Sequence, residues 1–127
     1  MVRLTTGRID IIAPNTTTNA WTISTGKKAR AKKIMWANRS GGNGMLRLGY
    51  VNVVAGAFVQ VLPDILMLNG FDGELGENEL PLCGNMPEGF SADTSPLAGS
   101  TGVIVLQATV GGAGALSVQV VLEIEEE

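Results

Sequence analysis

The side chains with the clearest chemical potential are four carboxylates in one glycine-containing segment: Asp72, Glu74, Glu77 and Glu79. Carboxylate oxygens are the ligands that Ca²⁺ prefers, and carboxylate pairs act as acid and base in glycoside hydrolysis. The spacing does not match an EF-hand loop, and nothing in the sequence places two of the carboxylates across a pocket. We therefore predict neither a catalytic pair nor a metal site, and calcium binding by this segment stays open.

Two residue types that often carry chemistry are nearly absent from the chain. There is no histidine, which removes the commonest general base and metal ligand. The single cysteine, Cys83, has no neighbouring cation in the sequence to stabilise a thiolate. We predict that the protein is not an enzyme and uses no cofactor.

The charges are segregated along the chain. All nine basic residues lie between Arg3 and Arg47, whereas eleven of the twelve carboxylates follow residue 47. Opposite charge on the two halves of a chain favours association with further copies or with a charged partner. The pattern therefore indicates assembly more than catalysis.

Five of the nine basic residues form a dense cluster at residues 27–33, in which Ala29 and Ala31 alternate with cations. This cluster is interpreted as a protein interface, a solvated edge strand protected by lysine, or a phosphate-binding strand with Trp36 or Trp21 stacking on bases. The sequence pI of about 4.9 disfavours a dedicated nucleic-acid binder. The acidic C-terminal tail, residues 123–127, is the expected electrostatic partner, within a subunit or between two. The candidate interface residues are Lys27, Lys28, Arg30, Lys32, Lys33, Trp36, Asp72, Glu74, Glu77 and Glu79.

Apolar residues recur with period two, and no convincing amphipathic helix is found. The clearest strand is C-terminal, where Leu116 and every second residue through Ile124 are apolar. The preceding run, residues 103–110, is apolar on both faces and predicts a central strand or one that faces a partner. Glycine-rich turns predict two hairpins, one joining residues 103–110 to the C-terminal strand and one joining residues 28–38 to residues 45–52.

The whole chain, residues 1–127, is predicted to form a single all-β domain. Further strands are expected at residues 3–12, 20–25, 59–62 and 65–68, followed by a long loop at residues 69–100 with at most one short strand near 89–92. Eight or nine strands fit a two-sheet antiparallel sandwich, of which the jelly roll is one form. Residues 1–7 are a candidate N-terminal arm. The uncharged stretch at residues 94–122 contains Pro96 and several glycines, so we predict no membrane span.

The sequence also resembles a known type of protein in style. Leu-Pro-Asp-Ile-Leu-Met-Leu-Asn-Gly at residues 62–70 leads to Glu-Leu-Pro at 79–81 and then to a glycine-rich C-terminal segment. This organisation resembles small virion structural proteins of tailed phages, especially capsid decoration (cement) proteins. The resemblance carries over no functional residue. It implies a homo-oligomer, with a trimer favoured, that binds a major capsid protein and resides in the virion after synthesis in the host cytoplasm.

The expected function is therefore structural, a non-catalytic protein that stabilises a viral or phage shell by binding neighbouring subunits. One alternative is a lectin-like module that binds carbohydrate through Asp72, Glu74 and an exposed tryptophan or Tyr50. A third hypothesis is nucleic-acid binding through the basic strand at residues 27–33. The host, the oligomer number and the docking partner stay open.

Overall fold

The computed structural model describes residues 2–22, 29–51, 58–60, 63–76, 103–112 and 114–126. Within these residues the chain forms ten β-strands and no helix. The strands are β1 (Val2–Thr5), β2 (Ile9–Ile11), β3 (Thr18–Thr22), β4 (Ala29–Asn38), β5 (Gly44–Val51), β6 (Phe58–Gln60), β7 (Ile65–Met67), β8 (Asp72–Leu75), β9 (Val103–Val110) and β10 (Val118–Glu126).

The strands form two antiparallel sheets that enclose the core between them, which confirms the predicted sandwich. Sheet A has the order β1-β10-β4-β8, and β2 also pairs with β10. Sheet B has the order β3-β9-β5-β6, and β7 also pairs with β5. The buried apolar side chains of both sheets belong to one cluster, as expected for a two-layer domain.

The strand order is that of a jelly roll. The strands β1 and β2 pair with successive stretches of β10, and β6 and β7 pair with successive stretches of β5. If each of these two pairs is counted as one interrupted strand, the described residues form eight strands, and consecutive strands lie in different sheets except for the fourth and fifth. The first, last, third and sixth form sheet A, and the second, seventh, fourth and fifth form sheet B, which is the double Greek-key arrangement.

This topology corrects both predicted hairpins. The strands β4 and β5 lie in different sheets, and so do β9 and β10. Their connections therefore cross from one sheet to the other. The turn glycines were recognised correctly, since Gly41 and Gly112 have positive φ angles of 91° and 77°. Turn chemistry shows where a chain reverses, but it does not decide whether the next strand pairs with the previous one.

Three further expectations are corrected. Val2–Thr5 is an edge strand that pairs with β10 of its own subunit, so these residues do not form a free arm. The single strand expected at residues 3–12 is two strands, β1 and β2, because the extended strand is interrupted at residues 6–8. The predicted loop at residues 69–100 contains strand β8, which pairs with β4 although two of its four residues are acidic. The suggested strand near 89–92 lies outside the described residues.

The patterns of the last two long strands are confirmed. Every second residue of the C-terminal strand is fully or almost fully buried, from Leu116 to Ile124. The strand β9 lies between β3 and β5, and even Val105, on the face opposite the main core, is buried. The strand β10 continues beyond Ile124 to Glu126, so the acidic tail is part of the sheet as far as Glu126.

A β-bulge in β4 determines which side chains of the basic strand face the core. Glu123 pairs with Lys33 and the next residue, Ile124, pairs with Ala31, so Lys32 is the extra residue. A bulge of this kind shifts the alternation by one residue. As a result Ala31 and Ile34, an odd and an even position, are both completely buried.

Asn38, the last residue of β4, binds two connections at one end of the sandwich, and Ser40 binds a third. Its Nδ2 donates to the carbonyl of Gly42 at 2.9 Å, and its Oδ1 accepts from the amide of Ser40 at 3.1 Å. Its backbone carbonyl accepts from the amide of Gly70 at 2.9 Å, and Ser40 Oγ accepts from the amide of Ser117 at 2.9 Å. We call the connections at residues 12–17, 39–43, 68–71 and 111–117 the loop end.

Asn38→Ala is expected to destabilise the fold by about 2–3 kcal/mol, because it leaves buried backbone groups without their side-chain partner. Urea unfolding followed by circular dichroism measures the loss. Asn19→Ala, at an exposed position in β3, is the matched control and should change stability by less than about 0.5 kcal/mol. Equal losses in both variants would contradict a central role for the Asn38 amide.

Candidate interaction surfaces

Half of the candidate interface residues can be placed with their side chains. Lys27, Lys28, Glu77 and Glu79 lie outside the described residues, and for Arg30 only the backbone is described. The remaining five are Lys32, Lys33, Trp36, Asp72 and Glu74. All five lie on β4 or β8 of sheet A. Four of them, Lys33, Trp36, Asp72 and Glu74, lie close together because β8 pairs directly with β4.

The basic strand meets the acidic tail within one subunit. Lys32 Nζ lies 3.8 Å from Glu125 Oε1, and both side chains are largely buried, with exposed fractions of 11% and 6%. The backbone register places Arg3 of β1 and Arg30 of β4 directly opposite Glu125. The tail that was predicted to be the electrostatic partner of the basic strand therefore pairs with it within one subunit, in a largely buried ion pair. Burial strengthens the attraction and also raises the cost of desolvating both charges.

The acidic strand β8 is neutralised in the same way. Lys33 Nζ lies 3.3 Å from Glu74 Oε2, and Arg39 Nη2 donates to Asp72 Oδ1 at 2.7 Å. Each basic side chain that the structure describes has a carboxylate partner within 4 Å. The other two ion pairs are Arg8–Asp10 at 3.2 Å and Arg47–Asp64 at 3.1 Å.

These ion pairs change the interpretation of the charge segregation. Charges that are separated along the sequence are adjacent in space, so each described basic side chain on or beside sheet A already has a carboxylate neighbour. Lys32 and Lys33 each face a carboxylate, which opposes the approach of a phosphate to these two cations. The same carboxylates would have to be displaced before another protein could pair with them.

The aromatic residues considered as ligand platforms pack inward. Trp36 is half-buried against the core, and its indole lies over Gly73, with Nε1 2.8 Å from the position that a Cβ at residue 73 would occupy. Trp21 is also half-buried, and its Nε1 donates to Glu126 Oε1 at 2.8 Å. Tyr50 is buried, so the expectation of an exposed Tyr50 is wrong.

The outer face of sheet A carries a groove of about 580 Å³. Half-buried apolar side chains of the two central strands, Met35, Ala37 and Val121, line it, with Gln119 beside them. Trp36 and Gly73 also line the groove, and its charged lining residues are Asp72 and Glu74 of β8 and Arg8 of the connection between β1 and β2. We call this feature the sheet A groove. Its volume lies in the range of ligand sites, which is about 300–1,000 Å³.

A second surface consists of exposed apolar side chains on the segment from β7 to β8. The side chains of Leu66, Leu68 and Phe71 are 55%, 48% and 66% exposed. The segment from Ile65 to Phe71 contains no charged residue. We call these three residues the apolar segment. Leu66 also lines a shallow pocket of about 160 Å³ on the outer face of sheet B, next to Met45. Ile12, at the same loop end, is 71% exposed.

Sequence reasoning missed the apolar segment, although a signal was present. Residues 65–68 are four consecutive large apolar residues after Pro63 and Asp64. A strand that is apolar on both faces must lie centrally or meet a partner. Because proline favours an edge strand, the combination could have indicated an exposed apolar edge. The sheet A groove could not be found in this way, since its lining comes from three strands and one connection that are distant in sequence.

Comparisons with known proteins leave the family open. No protein-family model matches the chain, and no curated protein matches it significantly. In the described part of the chain, no group of three or more acidic or cysteine side chains is arranged to hold a metal ion. That part also contains no helix long and apolar enough to cross a bilayer.

Asp64 is the titratable group with the clearest perturbation. Gln60 Nε2 donates to its Oδ1 at 2.6 Å, and Arg47 Nε donates to the same oxygen at 3.1 Å. The hydrogen bond from Gln60 is the main cause that lowers the pKa of Asp64 below its usual 3.8. Desolvation, the second-largest effect, opposes this shift, and Arg47 adds a hydrogen bond and its positive charge, both of which lower the pKa. The carboxylate thereby ties β6 and the start of β7 to β5.

Gln60→Ala is expected to raise the pKa of Asp64 toward its usual value, because the ionised form loses its strongest hydrogen bond. Since the folded-state pKa is the lower one, ionisation of Asp64 stabilises the fold at neutral pH, and this contribution disappears as the pH falls through that pKa. NMR titration of the side-chain carboxyl carbon measures the shift. Gln119→Ala, on the other sheet, is the control, and an unchanged Asp64 pKa in Gln60→Ala would refute the assignment.

Proposed function

We propose that this chain is a non-catalytic structural protein that works by burying its apolar segment against neighbouring subunits, in the manner of a capsid decoration protein. The observation that carries the proposal is the exposure of Leu66, Leu68 and Phe71 within six residues. Large exposed apolar patches on soluble domains mark interaction sites. Surface charges contribute less to this proposal, because the described basic side chains are already ion-paired.

The apolar segment is held in a fixed conformation, which favours tight binding. The amide of Phe71 donates to the carbonyl of Leu68 at 3.3 Å, closing a turn. Asn43 Oδ1 accepts from the amide of Asn69 at 2.9 Å, and the carbonyl of Asn38 accepts from Gly70. A surface that is ordered before binding loses less conformational entropy in the complex.

The choice of a viral shell as the partner rests on two arguments. The sequence resembles decoration proteins in the organisation of residues 62–81, and the jelly roll is frequent among viral capsid proteins. The same fold also occurs in lectins, so the fold alone does not distinguish these classes. A homo-oligomer, with a trimer favoured, that binds a major capsid protein is therefore the proposal, and the virion is its proposed location.

Sedimentation equilibrium of the wild-type protein is expected to give a mass that is a multiple of 13.2 kDa. Leu66→Asp and Leu68→Asp should each weaken association about 10-fold or more, because a carboxylate would be buried in an apolar contact. Asn19→Asp, at an exposed polar position on β3, is the matched control and should associate normally. A 13.2 kDa monomer at high concentration would count decisively against assembly.

A lectin-like function is the second candidate, and the sheet A groove is the observation that favours it. Asp72, Glu74, Gln119 and Arg8 supply hydrogen-bond acceptors and donors around an apolar floor, as polyhydroxyl ligands require. Under this alternative, a glycan array should give signal that the double variant Asp72→Asn, Glu74→Gln abolishes. Arrays with and without Ca²⁺ test whether the acidic segment uses the ion, and no glycan signal in either condition removes the candidate.

Nucleic-acid binding through residues 27–33 is the third hypothesis, and it has the weakest support. Lys32 is nearly buried and Lys33 is two-thirds buried, each beside a carboxylate. Phosphate contacts by these two residues would compete with their ion pairs to Glu125 and Glu74.

A further inference from the structure

We infer that copies of this chain associate by inserting Phe71 of one copy into the sheet A groove of another, a knob-and-groove contact that rests on the proposed assembly function. The partner is a second copy of the chain. Phe71 makes the contact on one side, and the sheet A groove receives it on the other.

The first step is that the knob and the groove are each incomplete within one subunit. Phe71 is 66% exposed, which leaves most of a large apolar side chain in water. The groove floor consists of Met35, Ala37 and Val121, three half-buried apolar residues on a sheet face that is otherwise charged. Its volume of about 580 Å³ is large enough for a phenyl ring and part of the turn that carries it.

The second step is that the two features lie next to each other. Phe71 directly precedes Asp72, which lines the groove, and the carbonyl of Phe71 accepts from the amide of Asn38, the neighbour of Ala37. When a convex and a concave part lie next to each other on one surface, the convex part of one copy can contact the concave part of a rotated second copy. Two copies would exchange knobs in a closed dimer, and three copies would pass them around a ring.

The third step is that neither the inserted turn nor the groove wall brings an unpaired charge to the contact. The inserted turn, residues 68–71, is uncharged, so it brings no ion onto the apolar floor. The groove wall formed by β8 has its carboxylates neutralised by Lys33 and Arg39, and Arg8 is neutralised by Asp10. Insertion therefore leaves no unpaired charge at the contact. An unpaired charge would make burial of the groove rim costly.

The test is a complementation experiment with two variants that each remove one side of the contact. Phe71→Ala lacks the knob but keeps the groove, and Ala37→Trp keeps the knob but fills the groove. Each variant alone should self-associate at least roughly 10- to 100-fold more weakly than wild type, since that is the loss expected for each contact that no longer buries its aromatic side chain. An equimolar mixture should associate more tightly than either variant alone, because Phe71 of one variant can still enter the groove of the other.

Two controls complete the design, with sedimentation velocity as the measurement. Val121→Trp fills the groove from the neighbouring strand and should complement Phe71→Ala in the same way, which covers a folding defect in Ala37→Trp. Ile12→Ala removes an equally exposed apolar side chain elsewhere on the loop end and should associate like wild type.

The outcomes separate this inference from the proposed function. A mixture as weak as its components, or a Phe71→Ala variant that associates like wild type, overturns the knob-and-groove contact alone. If Leu66→Asp disrupts such an assembly while Phe71→Ala does not, the contact lies on the sheet B side. A monomeric wild type overturns both the contact and the assembly function.

Discussion

The pairing of β4 with β10 is the interaction on which the rest of the structure depends. The strand β10 pairs with β4 on one side and with β1 and β2 on the other, so it fixes three of the four other strands of sheet A. The bulge at Lys32 lies within this pairing. It allows Ala29 and Ala31 to face the core at one end of β4 and Ile34 and Asn38 to face it at the other. Without the extra residue, one half of β4 would turn its apolar side chains to solvent.

The same pairing explains why the described basic side chains of sheet A do not form a separate positively charged surface. The basic strand β4 lies between β10 and β8, and Lys32, Lys33 and the following Arg39 pair with carboxylates of these two strands at distances of 3.8 Å or less. The charges then specify strand neighbours and register within the subunit more than they attract partners. Uncharged apolar groups, above all those between Ile65 and Phe71, are what the described surface leaves for association.

Much of the architecture could be predicted from the sequence, because period-two alternation reports which face of a strand is buried. The inward residues of β10 and the all-β sandwich follow from that rule, whereas the apolar residues on both faces of β9 indicated a central strand or one that faces a partner. The hairpins could not be predicted, since a turn such as residues 39–43 has the same chemistry whether it joins paired strands or crosses between sheets. Strand β8 was missed because two of its four residues are carboxylates and one is glycine. Its pairing is stabilised by Lys33 and by the indole of Trp36, which are contacts that appear only in three dimensions.

The position of Trp36 over Gly73 has a consequence for how this protein can diverge. Any side chain at residue 73 would enter the space of the indole ring, so glycine is required there for as long as tryptophan is retained at residue 36. Related sequences should therefore change these two positions together, with a smaller residue replacing the tryptophan wherever the glycine is lost. Such covariation would identify distant members of this family even where the rest of the surface has no detectable similarity.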